Sequence, residues 1–365
     1  MFTNDAGFTN AAGFTNAAGF TNSAGFTNDA GFTNDAGFTN GTAVDVVIPT
    51  RDRPGQLVAT LEALTCQSRS DFGVIVVDDG SRCEVESVCP PGLRAALRIR
   101  FVRNAVSIGA GPARNRGVRN SQARYVIFID DDCIATPDLV RKHCDVLSRM
   151  DSPVVSLGPI LTVEDRRLPV WSHWDAYQLE REYSKLRDGA VDAGWGHLFT
   201  GNVGLRRSDF LAVGGFDERF PRGEDTELGY RLAVQGCRFV FDSGAVVFHD
   251  SQRSLRSWLG IAAAAARSDV EMEEREPESD RLAMVTEQLR SRHPALRMAR
   301  RLFGGPIAAR CAIWAALAMG SALHAARADR LSFYAMSVVR DLTYWRALQD
   351  AVAQRPNRED AMEVA

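Results

Sequence analysis

Three consecutive carboxylates, Asp130, Asp131 and Asp132, follow the apolar run Tyr125-Val126-Ile127-Phe128-Ile129. Side by side they repel one another, so they require a cation. Oxygen donors of this kind suit Mg²⁺ or Mn²⁺, commonly held by one or two carboxylates and completed by substrate phosphates. Asp130 and Asp132 alternate with Asp131, so in extended backbone two of the three face one way. A second carboxylate pair, Asp78-Asp79, closes the apolar run Phe72–Val77, and a third, Glu224-Asp225, follows Gly223. The competing reading is a solvated acidic loop, or acids drawn to a helix start by its dipole. The flanking chain has to decide.

The elements around these residues alternate. Ala43 to Pro49 reads as a buried strand, and Pro54 suits the first turn of a helix that runs to about Gln67 with Leu57, Leu61 and Leu64 on one face. A second buried strand ends at Asp78, a short one covers Arg98–Val102, and Gly109 opens a helix that carries Arg114 and reaches Ser121. Then comes the strand that ends at Asp130. Strand–helix alternation predicts a parallel sheet with helices on both faces. Such sheets place ligands at the carboxyl ends of their strands, where Asp78-Asp79 and Asp130–Asp132 would stand. Further on, a helix is expected over Trp171–Leu186, a strand over Phe199–Leu205, and a helix from Gly223 to about Gln235. Short strands follow over Arg238–Phe241 and Ala245–Phe248, the second running into His249, and the chain is helical from Ser251 onward. The expected domains are therefore 1–42, 43–250 and 251–365.

Residues 1–42 form a different kind of sequence. Gly-Phe-Thr-Asn recurs every six residues from Gly7 to Gly37. One Phe per unit is too little apolar surface to bury a core, so a low-complexity, disordered tail is the expectation, with a β-solenoid rung as the alternative. The chain of 365 residues has a formal charge of −3. The tail holds Asp5, Asp29 and Asp35 and no base, so the body balances 43 acids against 43 bases. That balance argues against a nucleic-acid binder. Seven scattered cysteines without a CxxC pair read as reduced thiols, and with no signal-peptide pattern at the N-terminus the chain is expected in the cytoplasm. No uncharged apolar run approaches the ~20 residues that span a bilayer. The nearest, Cys311–Ala326, reads as a buried core helix, with an interfacial segment second. Glu271–Asp280 is acidic and Arg281–Arg301 basic, two faces expected to be solvated and able to pair with each other. The basic one, with Leu289, Leu296, Met298 and Leu302, also suits peripheral contact with an anionic inner membrane face.

In order, the segments VVIPTRDRP, FGVIVVDDGS, GAGPARNRG, YVIFIDDDC, FTGNVGLRRSDFLAVGGFDERF, GEDTELGYRL and VVFHD resemble the family 2 glycosyltransferases over roughly residues 44–250. The resemblance implies an α/β GT-A fold, a Rossmann-like sheet flanked by helices, here with a helical C-terminal extension. It implies a nucleotide-sugar donor (UDP-, GDP- or dTDP-linked), a hydroxyl acceptor, and inverting chemistry with Mg²⁺ or Mn²⁺. Pro49, Thr50, Arg51 and Asp52 would line the nucleobase and ribose pocket. Asp79, beside Asp78, would contact base or ribose, and Arg114 would reach the nucleotide. Asp130 and Asp132 would form the DxD pair at the metal, flanking Asp131 at the donor, with Asp132 ligating the metal and Asp130 also facing the ribose or sugar. His249 would be a further metal or phosphate contact. Asp225 would be the catalytic base, with neighbouring Glu224 as competitor. Arg51-Asp52 departs from a more common Tyr-Asn, which leaves the donor base open. The alternative from another class is a catalytically silent scaffold that displays the repeat tail; the intact acidic set at Asp79, Asp130, Asp132 and Asp225 argues against it.

Overall fold

The computed structural model describes residues 43–162, 168–220, 222–249 and 253–355. The hexapeptide array at 1–42 lies outside them.

The elements run β1 (Val44–Thr50), α1 (Pro54–Thr65), β2 (Phe72–Asp78), the short helices α2 (Val85–Val88) and α3 (Pro91–Ala96), and β3 (Arg98–Arg103). Next come α4 (Ala110–Arg119), β4 (Tyr125–Ile129), β5 (Cys133–Ala135), α5 (Leu139–Arg149), β6 (Val154–Leu157), β7 (Ile160–Thr162) and α6 (Val170–Arg187). The first half of the molecule is completed by β8 (Asn202–Arg206), α7 (Arg207–Ala212), α8 (Glu224–Val234), β9 (Arg238–Phe241) and β10 (Val247–His249). Five helices follow: α9 (Leu255–Arg275), α10 (Arg281–Ser291), α11 (Pro294–Phe303), α12 (Pro306–Ala325) and α13 (Asp329–Ala353).

Seven strands form one sheet in the order β3-β2-β1-β4-β8-β6-β9. The sheet is mostly parallel, as expected; its one exception is β8, which runs antiparallel to both β4 and β6. The other ladders are parallel, with Thr50 opposite Asp78 at the carboxyl ends of β1 and β2. A second, three-stranded sheet, β5-β10-β7, stands beside the carboxyl end of β4.

The alternation of side chains along a strand divides the apolar runs between two cores. Val44, Val46 and Ile48 of β1, with Tyr125, Ile127 and Ile129 of β4, pack on Leu57, Leu61 and Leu64 of α1. Val47, Val126 and Phe128 join Ala113 and Val118 of α4 and Leu228 and Leu232 of α8 on the opposite face. Both faces are therefore closed by helices, and only the strand ends are free to bear polar groups.

The C-terminal helices make their own core around Ala262, Ala266, Leu289 and Leu348. The acidic and basic segments do not present two solvated faces throughout. Arg281 pairs with Asp269 in the interior at 2.7 Å, and Arg292 and Arg300 both turn inward onto Asp341, at 2.6 and 3.3 Å. Helix α12 is not the buried core helix its composition suggested: only 22 % of its apolar window is covered. Its buried positions Ala309, Ala316, Leu317 and Gly320, mostly small, form one stripe, while Ile307, Cys311, Trp314 and Ala318 face outward. Small side chains let α12 pack closely on α13 with a narrow contact, which leaves the larger side chains on the free face.

Candidate active site

The strand ends open into one cavity of about 1350 Å³. At one end Pro49, Thr50, Arg51, Asp79 and Arg114 line it; Asp130, Asp131, Asp132, Glu224, Asp225 and His249 line its middle. Asp52 and Asp78 stand outside the lining.

The facing of the acidic triplet follows from the strand before it. Asp130 continues the face of Val126 and Phe128, toward α4, and there Arg114 donates to its Oδ1. After Asp130 the chain turns. Asp131 lies on the α1 side, buried, and accepts from Thr50 Oγ1 at 2.7 Å and from Arg53 at 3.3 Å. Burial raises its pKa to about 6, against the opposing pull of Thr50 and Arg53. Asp131 thus couples β1, α1 and β4, and Thr60 of α1 reinforces this through the Asp131 carbonyl at 2.8 Å. Asp132 meets Arg53 at 2.9 Å on one oxygen, and His249 Nε2 stands 3.1 Å from the other. Burial pushes the Asp132 carboxyl up, but His249 and Arg53 outweigh it and hold the group below the usual range.

A divalent cation fits this pair. Asp132 Oδ1 is buried, and the group that approaches it is His249 Nε2, at 3.1 Å. An acceptor oxygen and an imidazole nitrogen that face each other in this way can share a metal. Among the described residues no three such groups converge into a self-sufficient site. Mg²⁺ and Mn²⁺ sites of this type take their remaining ligands from substrate phosphates and water.

The neighbouring carboxylates differ in their partners. Asp79 accepts from Asn104, Ser107, Ile108 N and Gly109 N, between 2.7 and 3.0 Å. Burial raises its pKa, but these four donors prevail and keep it low. It shapes the loop that leads into α4 and presents that loop to the cavity. Asp78 caps the following turn through Ser81 N at 2.8 Å and binds Arg103 at 2.9 Å. Asp52 accepts from Arg82 N at 2.9 Å.

Glu224 and Asp225 enter the cavity at the first turn of α8. Gly223 makes that entry possible: its φ is +74°, and a Cβ there would lie 2.0 Å from Ser268 Oγ. Ser268 Oγ in turn donates to Arg222 O at 2.7 Å, which ties the loop to α9. Arg114 links the two halves of the site, since its Nη1 also approaches Glu224 Oε1 at 3.7 Å. Asp225 is raised to about 7, first by burial and then by the Glu224 charge. A carboxyl with that value exchanges protons near neutrality, as a general base must.

Some contributors were not foreseen. Arg53, the residue before the Pro54 helix start, bridges Asp131 and Asp132, and Asp175, Arg253 and Arg340 line the far end of the cavity. Only proximity to Pro54 hinted at the first; the others come from helices and a loop remote in sequence. Asn202 and Trp195, though close in sequence to lining residues, do not line the cavity. Asn202 stitches Pro159 O and Ala245 O together and faces His143, while Trp195 packs with Phe220 and Met272.

Residues 45–214 match the family model for glycosyl transferase family 2. A pre-mycofactocin glycosyltransferase of Mycobacterium tuberculosis is 32% identical over 245 residues, 64% of this chain and 48% of that protein. A validoxylamine A glucosyltransferase of Streptomyces hygroscopicus is 31% identical over 229 residues, 53% of this chain and 52% of that protein. The chain spans about half the length of these curated relatives. A mannosyltransferase from Pyrobaculum calidifontis, solved with GDP-Man and Mn²⁺, shares the fold with a TM-score of 0.56 at 18% identity, over 87% of this chain and 89% of that one. Residues 45–214, which carry the strand-end carboxylates, are thus the part of the chain that matches glycosyl transferase family 2, on a fold shared with a glycosyltransferase.

Proposed function

We propose that the protein moves a sugar from a nucleoside-diphosphate donor to a hydroxyl acceptor, with inversion at the anomeric carbon and with Mg²⁺ or Mn²⁺. The observation that carries this reading is Arg114, which reaches Asp130 on the strand-end side and Glu224 beside Asp225 on the other. One guanidinium thereby holds the donor-side and base-side carboxylates around a common space. Asp132 and His249 would hold the cation, which when bound neutralises the leaving diphosphate. Arg114 offers a further positive charge to the nucleotide. Asp225 takes the proton from the acceptor hydroxyl, whose oxygen bonds to the anomeric carbon on the face opposite the departing diphosphate. One base and no covalent intermediate give inversion. The buried Asp131 and the saturated Asp79 fix the walls against which the donor orders, which lowers the entropic barrier to in-line attack.

A thermal-shift panel of UDP, GDP and dTDP with Mn²⁺ tests this. A ligand at a hundred times its Kd stabilises by about 2.7 kcal/mol, so one base should raise the Tm clearly and do so only with metal. Indifference to all three overturns the reading.

A peripheral membrane contact belongs to the same proposal. The free face of α12 exposes Ile307 (78 %) and Trp314 (57 %), and Leu302 of α11 adds to it (64 %). Exposed Arg301 and Arg310 stand among them. Apolar side chains interleaved with arginines complement an anionic bilayer surface, on which the helix would lie rather than cross.

A further inference from the structure

The cavity does not end at the catalytic carboxylates. It continues past His249 and Asp225 between α6, α9 and α13, where Asp175, Arg253, Arg292 and Arg340 line it. These residues lie within electrostatic reach of one another and of the reaction centre: Asp175 interacts with His249, Arg253 and Arg340, and Arg340 with Arg292.

The charges there do not balance. Asp175 serves Arg253, at 3.8 Å, and Arg340 together, and it also accepts from Trp258 Nε1 at 2.9 Å. Asp341 serves both Arg292 and Arg300. Four guanidiniums thus share two carboxylates among the described residues. Among the described residues Arg340 donates to one acceptor, the Trp258 carbonyl at 3.3 Å, and Arg292 Nε is buried without a partner. Removing a cation from water is costly unless an anion or acceptor compensates it. Among the described residues, this excess of positive charge, with unused donors at Arg292 and Arg340 on the cavity lining, marks a place for an anion. Guanidinium forks match the oxygens of phosphate in geometry, and a phosphate monoester carries the charge that the cluster lacks.

We propose that this end of the cavity is an acceptor subsite for a phosphate group, so that the acceptor is a hydroxyl compound that also carries a phosphate ester. The inference rests on the glycosyltransferase reading for what the bound molecule does, but not for its binding. No bond to phosphorus is made or broken. The acceptor hydroxyl oxygen bonds to the anomeric carbon, its proton passes to Asp225, and the nucleoside diphosphate leaves. Arg340, Arg292 and Arg253 position the acceptor through its phosphate, at the end of the cavity where Asp175 interacts with His249. Such a phosphate has two sources, a soluble phosphorylated compound or a lipid-linked one, and chain length separates them.

The test is calorimetric titration of the full chain, with the donor end filled by the nucleoside diphosphate it binds best and Mg²⁺. Glycerol 1-phosphate, dodecyl phosphate and glycerol are the probes. The two phosphates should bind and glycerol should not. Arg340→Gln and Arg253→Gln should each weaken phosphate binding at least about tenfold, the loss of one charge-assisted contact. Arg253 is 41% exposed, so its substitution leaves the core intact even if Arg340→Gln lowers the Tm. Dodecyl phosphate binding more tightly than glycerol 1-phosphate would identify a lipid-linked acceptor; equal binding would identify a soluble one. Absence of phosphate binding to the native chain, or binding that neither substitution weakens, overturns the proposal. If no nucleotide binds while the phosphate titration still responds to both substitutions, the glycosyltransferase reading fails and the anion site stands.

Discussion

His249 Nε2 stands 3.1 Å from Asp132 Oδ1 across the junction of the two sheets. Asp132 follows a strand of the large sheet, and His249 ends β10 of the small one. The register of β10 on β5 sets His249 opposite Cys133, the residue next to Asp132. Backbone pairing, not side-chain attraction, therefore brings carboxylate and imidazole together. Asp132→Ala should abolish Mn²⁺-dependent binding of the nucleoside diphosphate with little change in the Tm of the unliganded chain. His249→Ala should weaken the metal dependence by at least about tenfold, because it removes one of the two side chains that would hold the cation. Metal titrations at fixed nucleotide read both; unchanged metal affinity in the Asp132 variant would remove it from the site.

Asp225 sets the pH dependence. Its carboxyl is raised to about 7 by burial and by Glu224. A base works when deprotonated, so transfer should rise with pH through about 7 and level above it. Asp225→Asn should lower turnover by about 10²–10⁴-fold and remove that limb while donor binding persists. If Glu224→Gln does this instead, the two roles exchange. Stability runs the other way. An acid whose pKa is raised on folding stabilises most below its unfolded value near 4, and that contribution is lost as pH rises through about 7. Asp225→Asn should flatten this part of the stability profile, measured by denaturant unfolding between pH 4 and 8.

Thr50 matters for stability as well as for the donor pocket. Its hydroxyl donates to the buried Asp131 at 2.7 Å. Thr50→Val keeps the shape of β1 and leaves one Asp131 oxygen without its short donor. The expected loss is about 1–3 kcal/mol, the cost of an unsatisfied buried group. Equilibrium unfolding in urea at neutral pH measures it, and a loss within error would show that Arg53 alone suffices.

The free face of α12 predicts salt-sensitive sedimentation with anionic liposomes. Ile307→Ser together with Trp314→Ser should reduce binding without altering nucleotide affinity, because neither residue touches the cavity. Equal binding by neutral and anionic vesicles, or none by either, would show that the arginines there serve the protein alone.

Local sequence determined most of the first half of this protein. Short unbroken apolar runs of β-branched and aromatic residues such as Tyr125–Ile129 read as central strands, and the acidic cluster that follows them reads as the sheet edge. The position of Asp130, Asp131 and Asp132 was therefore legible, as were the helix start at Pro54 and the turn at Gly223 before Asp225. What those carboxylates touch was not. Asp130, Asp131 and Asp132 look equivalent in sequence, yet the chain turn after Asp130 gives one to Arg114, buries one under Thr50, and leaves one facing His249. The reversal of β8 was hidden as well, since strand direction depends on the path of the connections and not on the residues of the strand. In the helical half, arginines that read as a solvated stripe fold inward because Asp269 and Asp341, remote in sequence, are placed to receive them. Electrostatic pairing across distant segments is a property of packing, so only the tertiary structure decided which charges are balanced and which, at Arg253, Arg292 and Arg340, are left over.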